Sequence, residues 1–140
     1  MTLALVPIPP DCLEGTRGYW VPYILSISER DGCDPAEKER MLLAGEAQAF
    51  IVWDDEGKKP QAFLGVRYVA RGTDRIGELI WLVGENRAAW VHLFAELETY
   101  LREQQGCVGV KAIARRGWSK HLKSSGYRET HVVMEKEFAP

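Results

Sequence analysis

Residues 75–105 read RIGELIWLVGENRAAWVHLFAELETYLREQQ, and the change of period inside this stretch decides the fold. Alternation from Arg75 to Val83 puts Ile76, Glu78, Ile80 and Leu82 on one face and Gly77, Leu79, Trp81 and Val83 on the other. Both sets are apolar apart from Glu78. A strand that is apolar on both faces belongs in the interior of a sheet with helices on each side, so Glu78 becomes the one ionisable group in its middle. Past Arg87 the spacing changes: Trp90, Leu93, Phe94, Leu97, Tyr100 and Leu101 recur at helical intervals, predicting an amphipathic helix of about four to five turns. Its polar face carries His92, Glu96, Glu98 and Glu103.

Toward the C-terminus, Gly106 stops this helix and Val108–Ala114 reads as a fourth strand. A strand, helix, strand unit brings its two strands together in parallel. A short helix at Trp118–Ser124, a cap at Gly126 and a last strand from Tyr127 to Phe138 complete this half. Toward the N-terminus, AQAFIVWDD from Ala47 and QAFLGVRYVARG from Gln61 flank a polar turn at Glu56–Pro60, and a turn at Gly72–Asp74 leads into the third strand. Three successive strands of this kind form an antiparallel meander. Before them, Asp34 as N-cap, Pro35 at the first helical position and Glu37 closing a capping box open a helix that runs through Met41 and Leu42 to Gly45. Thr16–Glu29 reads as an earlier helix packed on one side, after an apolar start at Leu3–Ile8.

The chain has 140 residues, 46% hydrophobic and 27% charged, which suits one folded domain: residues 1–46 as an N-terminal strand and helices, 47–140 as the core. A net charge of −2 argues against nucleic acid as a partner. The basic run Lys111, Arg115, Arg116, Lys120 and Lys123 reads either as a solvated face or as a seat for a smaller anion. Cys12, Cys33 and Cys107 are widely spaced, with no metal-ligand spacing, and point to a reduced cytoplasm. Neither a secretory leader nor a membrane helix is expected. Of the five Trp residues, Trp20, Trp53 and Trp118 serve the core or an exposed recognition patch.

The order of elements, with the run Gly84, Trp90, Leu97, Glu98, Gly106, Cys107, Arg116, Gly117, Trp118, Leu122, Gly126, Tyr127, Glu135 and Lys136, resembles the GNAT acetyltransferase superfamily. Within it the chain is similar to a phage- and prophage-encoded group whose acceptors are unknown. The resemblance covers residues 47–138 and implies an α/β (α+β) fold: a central mixed sheet with an antiparallel meander, a long crossover helix and splayed C-terminal strands. It also implies acetyl-CoA in the splay and an amine acceptor, either a small molecule or a protein lysine or N-terminus. A cytoplasmic location follows, in the host if the chain is phage encoded, with a homodimer or a host-protein partner as further expectations.

The implied cofactor segment is Leu82, Val83, Gly84, Asn86, Arg87 and Ala88, with Arg115, Arg116 or Lys120 reaching the phosphates and a backbone N–H near Leu82 or Val83 polarising the carbonyl. The family turn is a Gln or Arg, then Gly, any residue, and Gly or Ala. Here it reads Gly84, Glu85, Asn86, Arg87, Ala88, Ala89, where small residues admit a phosphate and Glu85 repels it. The alternative is a plain strand-to-helix connection with Asn86 as N-cap.

Glu78 is the candidate base, since burial on an apolar strand would favour its neutral form. The alternative is an ion pair with Arg67 or Arg75. The family's general-acid Tyr, four residues before Gly126, is replaced by Leu122; His121 points elsewhere on the helix, and Tyr127 is a packing position. These departures motivate a rival reading, an inactive GNAT-like module that binds a host or virion protein.

Overall fold

The computed structural model describes residues 2–140. Five strands form one sheet in the order β1 (Leu3–Ile8), β2 (Gln48–Asp54), β3 (Lys59–Arg71), β4 (Asp74–Gly84) and β5 (Gly109–Ala112). The first four are antiparallel neighbours, and β5 lies parallel to β4. The expected mixed α/β architecture and meander are present. Pro7 sits in β1, where an edge strand tolerates a residue without an N–H.

Two helices cover one face. α1 (Arg17–Asp31) buries Trp20 and Ile24, and it ends at Gly32 with φ 73°, a left-handed cap that glycine adopts without strain. In α2 (Pro35–Leu43) the Asp34 carboxylate accepts the Ala36 N–H at 2.9 Å, as the N-cap reading required. The capping box does not close. Glu37 instead turns to Arg40 at 2.6 Å, an ion pair one turn along the exposed face. Between the two helices Lys38 is buried, with Nζ 3.0 Å from Ser28 Oγ and 3.0 Å from Asp31. The core on this side joins Ile8, Trp20, Ile24, Leu42, Phe63, Trp81 and Val83.

The other face is covered by α3 (Arg87–Trp90), α4 (Phe94–Gln105) and α5 (Ser119–Ser124) over a core of Phe50, Leu64, Leu79, Phe94, Leu97 and Leu101. The single helix predicted from Arg87 is therefore broken by a tight turn at Val91–Leu93. Trp90 departs from helical geometry at φ −125°. Its indole N–H donates to the Glu85 carbonyl at 2.7 Å and its ring lies 5.2 Å from Trp118, which together hold it out of helical register.

Two other expectations are corrected. Pro60 lies inside β3 and not in the preceding turn, which occupies residues 55–58 with Lys58 at φ 52°. The last strand from Tyr127 to Phe138 is not formed, and residues 127–140 carry no regular structure. No stretch of sheet lies alongside to supply its hydrogen bonds, and a strand needs a neighbour. Among the described residues no helix is long and apolar enough to cross a membrane.

Candidate functional site

Strand β4 changes character halfway along. From Ile76 to Leu79 it is paired on both sides, with β3 and with Gly109–Ala112 of β5. The Ile113 N–H donating to the Leu79 carbonyl at 3.0 Å is the last bond between β4 and the chain of β5. Ile80–Gly84 continue along β3 alone.

A bulge marks the change. Trp81 lies opposite Gly65 while Leu79 lies opposite Val66, so Ile80 is an extra residue on β4. The predicted alternation fails here, since one inserted residue exchanges the faces beyond it. Leu79 packs with the α4 side, whereas Trp81 and Val83 pack with the α1 side. Gly65 accommodates the bulge: a Cβ there would stand 2.2 Å from Trp81. The backbone alternation shifts with it. Past Ile80 the odd residues face β3, and the Glu85 N–H donates to the Gln61 carbonyl at 3.1 Å. The N–H groups of Leu82 and Gly84 consequently face the gap that β5 has left.

Gly84 is required by close approach. A Cβ on it would lie 2.4 Å from Ala62 Cβ and 2.7 Å from the Gln61 carbonyl oxygen. Asn86 then adopts a left-handed conformation, φ 53° and ψ 47°, and begins α3 without a side-chain capping bond. Its amide donates to Gln61 Oε1 at 3.3 Å instead, so Asn86 is not a side-chain N-cap.

At the open end of the gap is a cleft of about 340 Å³ lined by Arg30, Val83, Gly84, Arg87, Arg115, Arg116, Gly117 and Trp118. Four arginines and no acidic residue line it. Arg87 crosses from the β4 side to the β5 side: its guanidinium lies 5.0 Å from the Trp118 ring centroid and donates to the Gly117 carbonyl at 3.3 Å. Glu85 is not part of the lining. Burial, and then the Glu85 carboxylate, push the Tyr23 hydroxyl of α1 up.

Of the residues singled out in the sequence, Val83, Gly84, Arg87, Arg115 and Arg116 share the cleft; Leu82, Asn86 and Ala88 belong to the flanking segment but not to the lining. Lys120 is outside it, and Lys123 pairs with Glu129 at 3.2 Å. Arg30 was missed. At the end of α1 it reads as an ordinary basic residue at a helix C-terminus, and only the packing of α1 on the sheet brings it to Gly84.

Glu78 is buried within the doubly paired half of β4, one residue before its end, and faces two cations. Arg67 on β3 donates to one carboxylate oxygen, and Lys111 Nζ on β5 lies 3.7 Å from the other. Of the two readings, the ion pair with Arg67 is formed, and Arg75 is engaged elsewhere, over the Tyr68 ring at 4.4 Å and with Gln105 at 3.3 Å. Leu122 is buried in the α4-side core and His121 stands 5.9 Å from the Trp118 ring. Tyr127 packs against Phe94 at 6.3 Å, and burial, with Glu98 next to it, pushes its hydroxyl up. Trp20 and Trp118 are buried and Trp53 half-buried, so the three form no exposed patch. A wider depression of about 710 Å³ lies at the other end of the sheet, along Arg67–Ala70 and Gly72–Arg75. Its two arginines are the ones already committed to Glu78 and Tyr68. Among the described residues no group of His, Cys, Asp or Glu could hold a metal ion.

No family model matches this sequence, and no curated protein does. Solved structures do. A ribosomal-protein-alanine N-acetyltransferase from Brucella melitensis is 13% identical with a TM-score of 0.70, over 99% of this chain and 100% of that one. A glucosamine-6-phosphate N-acetyltransferase from Arabidopsis thaliana is 11% identical with a TM-score of 0.68, over 99% and 100%. A predicted acetyltransferase from Clostridium acetobutylicum, solved with acetyl-CoA, is 10% identical with a TM-score of 0.65, over 97% and 96%. At such identities the likeness concerns the fold, which is GNAT-like across the whole chain.

Proposed function

We propose that this chain is an acetyl-CoA-dependent N-acetyltransferase acting on an amine. The observation that carries the reading is the gap between β4 and β5 opening directly onto a cleft lined by four arginines. The chemistry of the lining fits a phosphorylated cofactor. Arg30, Arg87, Arg115 and Arg116 would hold its phosphates by charge-assisted hydrogen bonds, and the inward N–H groups of Leu82 and Gly84 would bind its amide and acyl oxygens. Val83, Asn86 and Ala88 complete the seat: Asn86 sets the left-handed turn and the small side chain of Ala88 leaves room for a phosphate to approach. Bound there, acetyl-CoA would supply an activated thioester.

Glu78 lies one residue before the end of the paired half and is the nearest carboxylate to the gap along β4. We assign it the task of accepting the proton that the incoming ammonium must lose, with Arg67 and Lys111 orienting it. With Leu122 in the core, no side-chain acid reaches the cleft and water is left to protonate the departing thiolate. The acceptor is a small-molecule amine or a protein lysine or N-terminus, encountered in the cytoplasm, the host's in the case of a phage-encoded protein.

Titration calorimetry with acetyl-CoA tests the binding half of this reading. Micromolar affinity that falls about tenfold in Arg116→Ala supports it, and absence of heat at millimolar ligand removes it. Acetyl transfer to a panel of amines, lost in Glu78→Gln with binding retained, tests the chemical half.

The doubly paired state of Glu78 favours one second reading, a GNAT-like module that binds a host or virion protein without catalysis. It requires a stable complex that Glu78→Gln leaves intact.

A further inference from the structure

Lys111 serves neither use that the basic run offered. It is absent from the lining of the arginine cleft, and its ammonium turns to a buried carboxylate. Strand register brings the two together: Lys111 of β5 lies directly opposite Glu78 of β4, so their side chains leave the sheet on the same face. Lys111 Nζ stands 3.7 Å from Glu78 Oε2, within ion-pair range and beyond a tight hydrogen bond. Among the described residues three other lysines pair with acids, Lys38 with Asp31, Lys58 with Asp55 and Lys123 with Glu129, and in each the acid is open to water. Of these four lysines Lys111 alone meets a carboxylate almost wholly withdrawn from solvent, with 6% of its side chain exposed.

The two partners differ in freedom. Glu78 is fixed, being buried and held at its other oxygen by Arg67. Lys111 is not: its side chain is 52% exposed and ends a flexible four-carbon stem. The strands part close by. Ala112 is the last residue of β5, paired with Leu79, and the Ile113 N–H makes the final bond to β4 at the Leu79 carbonyl. Lys111 is thus two residues from the gap, roughly 7 Å along the strand and within reach of such a stem. A primary amine, a carboxylate able to take its proton and an opening for a thioester share one short stretch of sheet. An N-acetyl transfer uses these groups, here with the acceptor supplied by the chain itself.

We propose that Lys111 is a self-acetylation site, modified by the acetyl-CoA bound in its own chain. The transfer rests on the cofactor binding proposed above and gives that site one defined acceptor. Lys111 gives a proton to Glu78 Oε2, and the freed nitrogen lone pair attacks the thioester carbonyl carbon. A C–N bond forms, the C–S bond breaks with its electron pair going to sulfur, and a second proton of the nitrogen passes through water to the thiolate. The products are an acetamide on Lys111 and coenzyme A, and Glu78 returns its proton to solvent. The amide carries no charge, so Glu78 is left with Arg67 as its one cation and Oε2 is released for an outside amine.

Incubation of the full chain with acetyl-CoA and no added amine, followed by intact-mass measurement and peptide mapping, tests the site. The expected result is a single added acetyl group, on Lys111, formed with a rate constant independent of protein concentration. Lys111→Arg should stay unmodified and Glu78→Gln should slow the transfer about a hundredfold or more, while both still bind acetyl-CoA in calorimetry and keep the wild-type circular dichroism. A wild type that binds acetyl-CoA and stays unmodified overturns self-acetylation alone; one that shows no binding overturns it together with the proposed function. Equal labelling of the exposed Lys58, Lys59 and Lys120, or labelling of Lys111 at an undiminished rate in Glu78→Gln, marks reaction with free thioester and overturns it as well. A rate constant that rises with protein concentration overturns transfer within one chain.

Discussion

The two halves of β4 are built from similar residues and do opposite things. Between Ile76 and Leu79 every backbone group has a neighbour on each side, and the one charge, Glu78, is clamped by a cation from each flanking strand. Between Ile80 and Gly84 the strand keeps β3 and loses β5, and the N–H groups so released face a cleft lined by four arginines. A single extra residue, Ile80, separates a half that stabilises from a half that can bind. The strand retains its hydrophobic contacts throughout, because the bulge merely exchanges which core each side chain enters. Binding capacity here comes from withdrawing a hydrogen-bonding partner and not from adding a special residue.

The sharpest way to break this contrast is Gly84→Val. The added atoms collide with the backbone of Gln61 and Ala62, which cannot step aside as a flexible side chain could, so the open half should lose its tie to β3. Urea denaturation should show a loss of about 3 kcal/mol, with cofactor binding abolished as well. Next comes the closed half. Arg67→Ala leaves Glu78 buried with Lys111 alone; since Arg67 is itself half exposed, the cost should be about 2 kcal/mol and not the full penalty of a deeply buried pair. If the halves are as separate as they look, coenzyme affinity should be unchanged in that variant, and calorimetry would reveal any coupling.

Substitutions in the cleft should give the reverse pattern. Arg87→Ala or Arg116→Ala touches exposed groups and should move stability by less than about 0.5 kcal/mol, while weakening coenzyme binding about tenfold. The smallest effect is a probe of burial beside the start of β5. Burial pushes the Cys107 thiol up, so less thiolate is present at a given pH, and the exposed Cys12 and Cys33 should alkylate well before it. Equal rates for all three thiols would mean that the closed half opens in solution.

Much of this was legible in the sequence, and the misses share a cause. The meander, the crossover and the parallel pair followed from period and punctuation, as did Asp34 and Gly106 at helix ends, because these depend on neighbours a few residues apart. The faces of β4 beyond Leu79 did not follow: the bulge answers to Gly65, fifteen positions upstream of Ile80, whose missing Cβ makes room for Trp81. Arg30 was invisible for the same reason. Glu78 was recognised as the one charge in the strand, but choosing between free base and ion pair needed the register that sets Arg67 and Lys111 opposite it. The last strand, read from Tyr127 to Phe138, is not formed, since periodicity describes a segment's preference and says nothing of where its partner is.

Amide-resolved NMR during titration with coenzyme A tests the central claim most directly. If the parted strands grip the cofactor through released backbone groups, Leu82 and Gly84 should shift most, together with residues 115–118, while Ile76–Leu79 stay in place. A titration to millimolar ligand that leaves Leu82 and Gly84 unmoved, or that shifts the closed half instead, would contradict it.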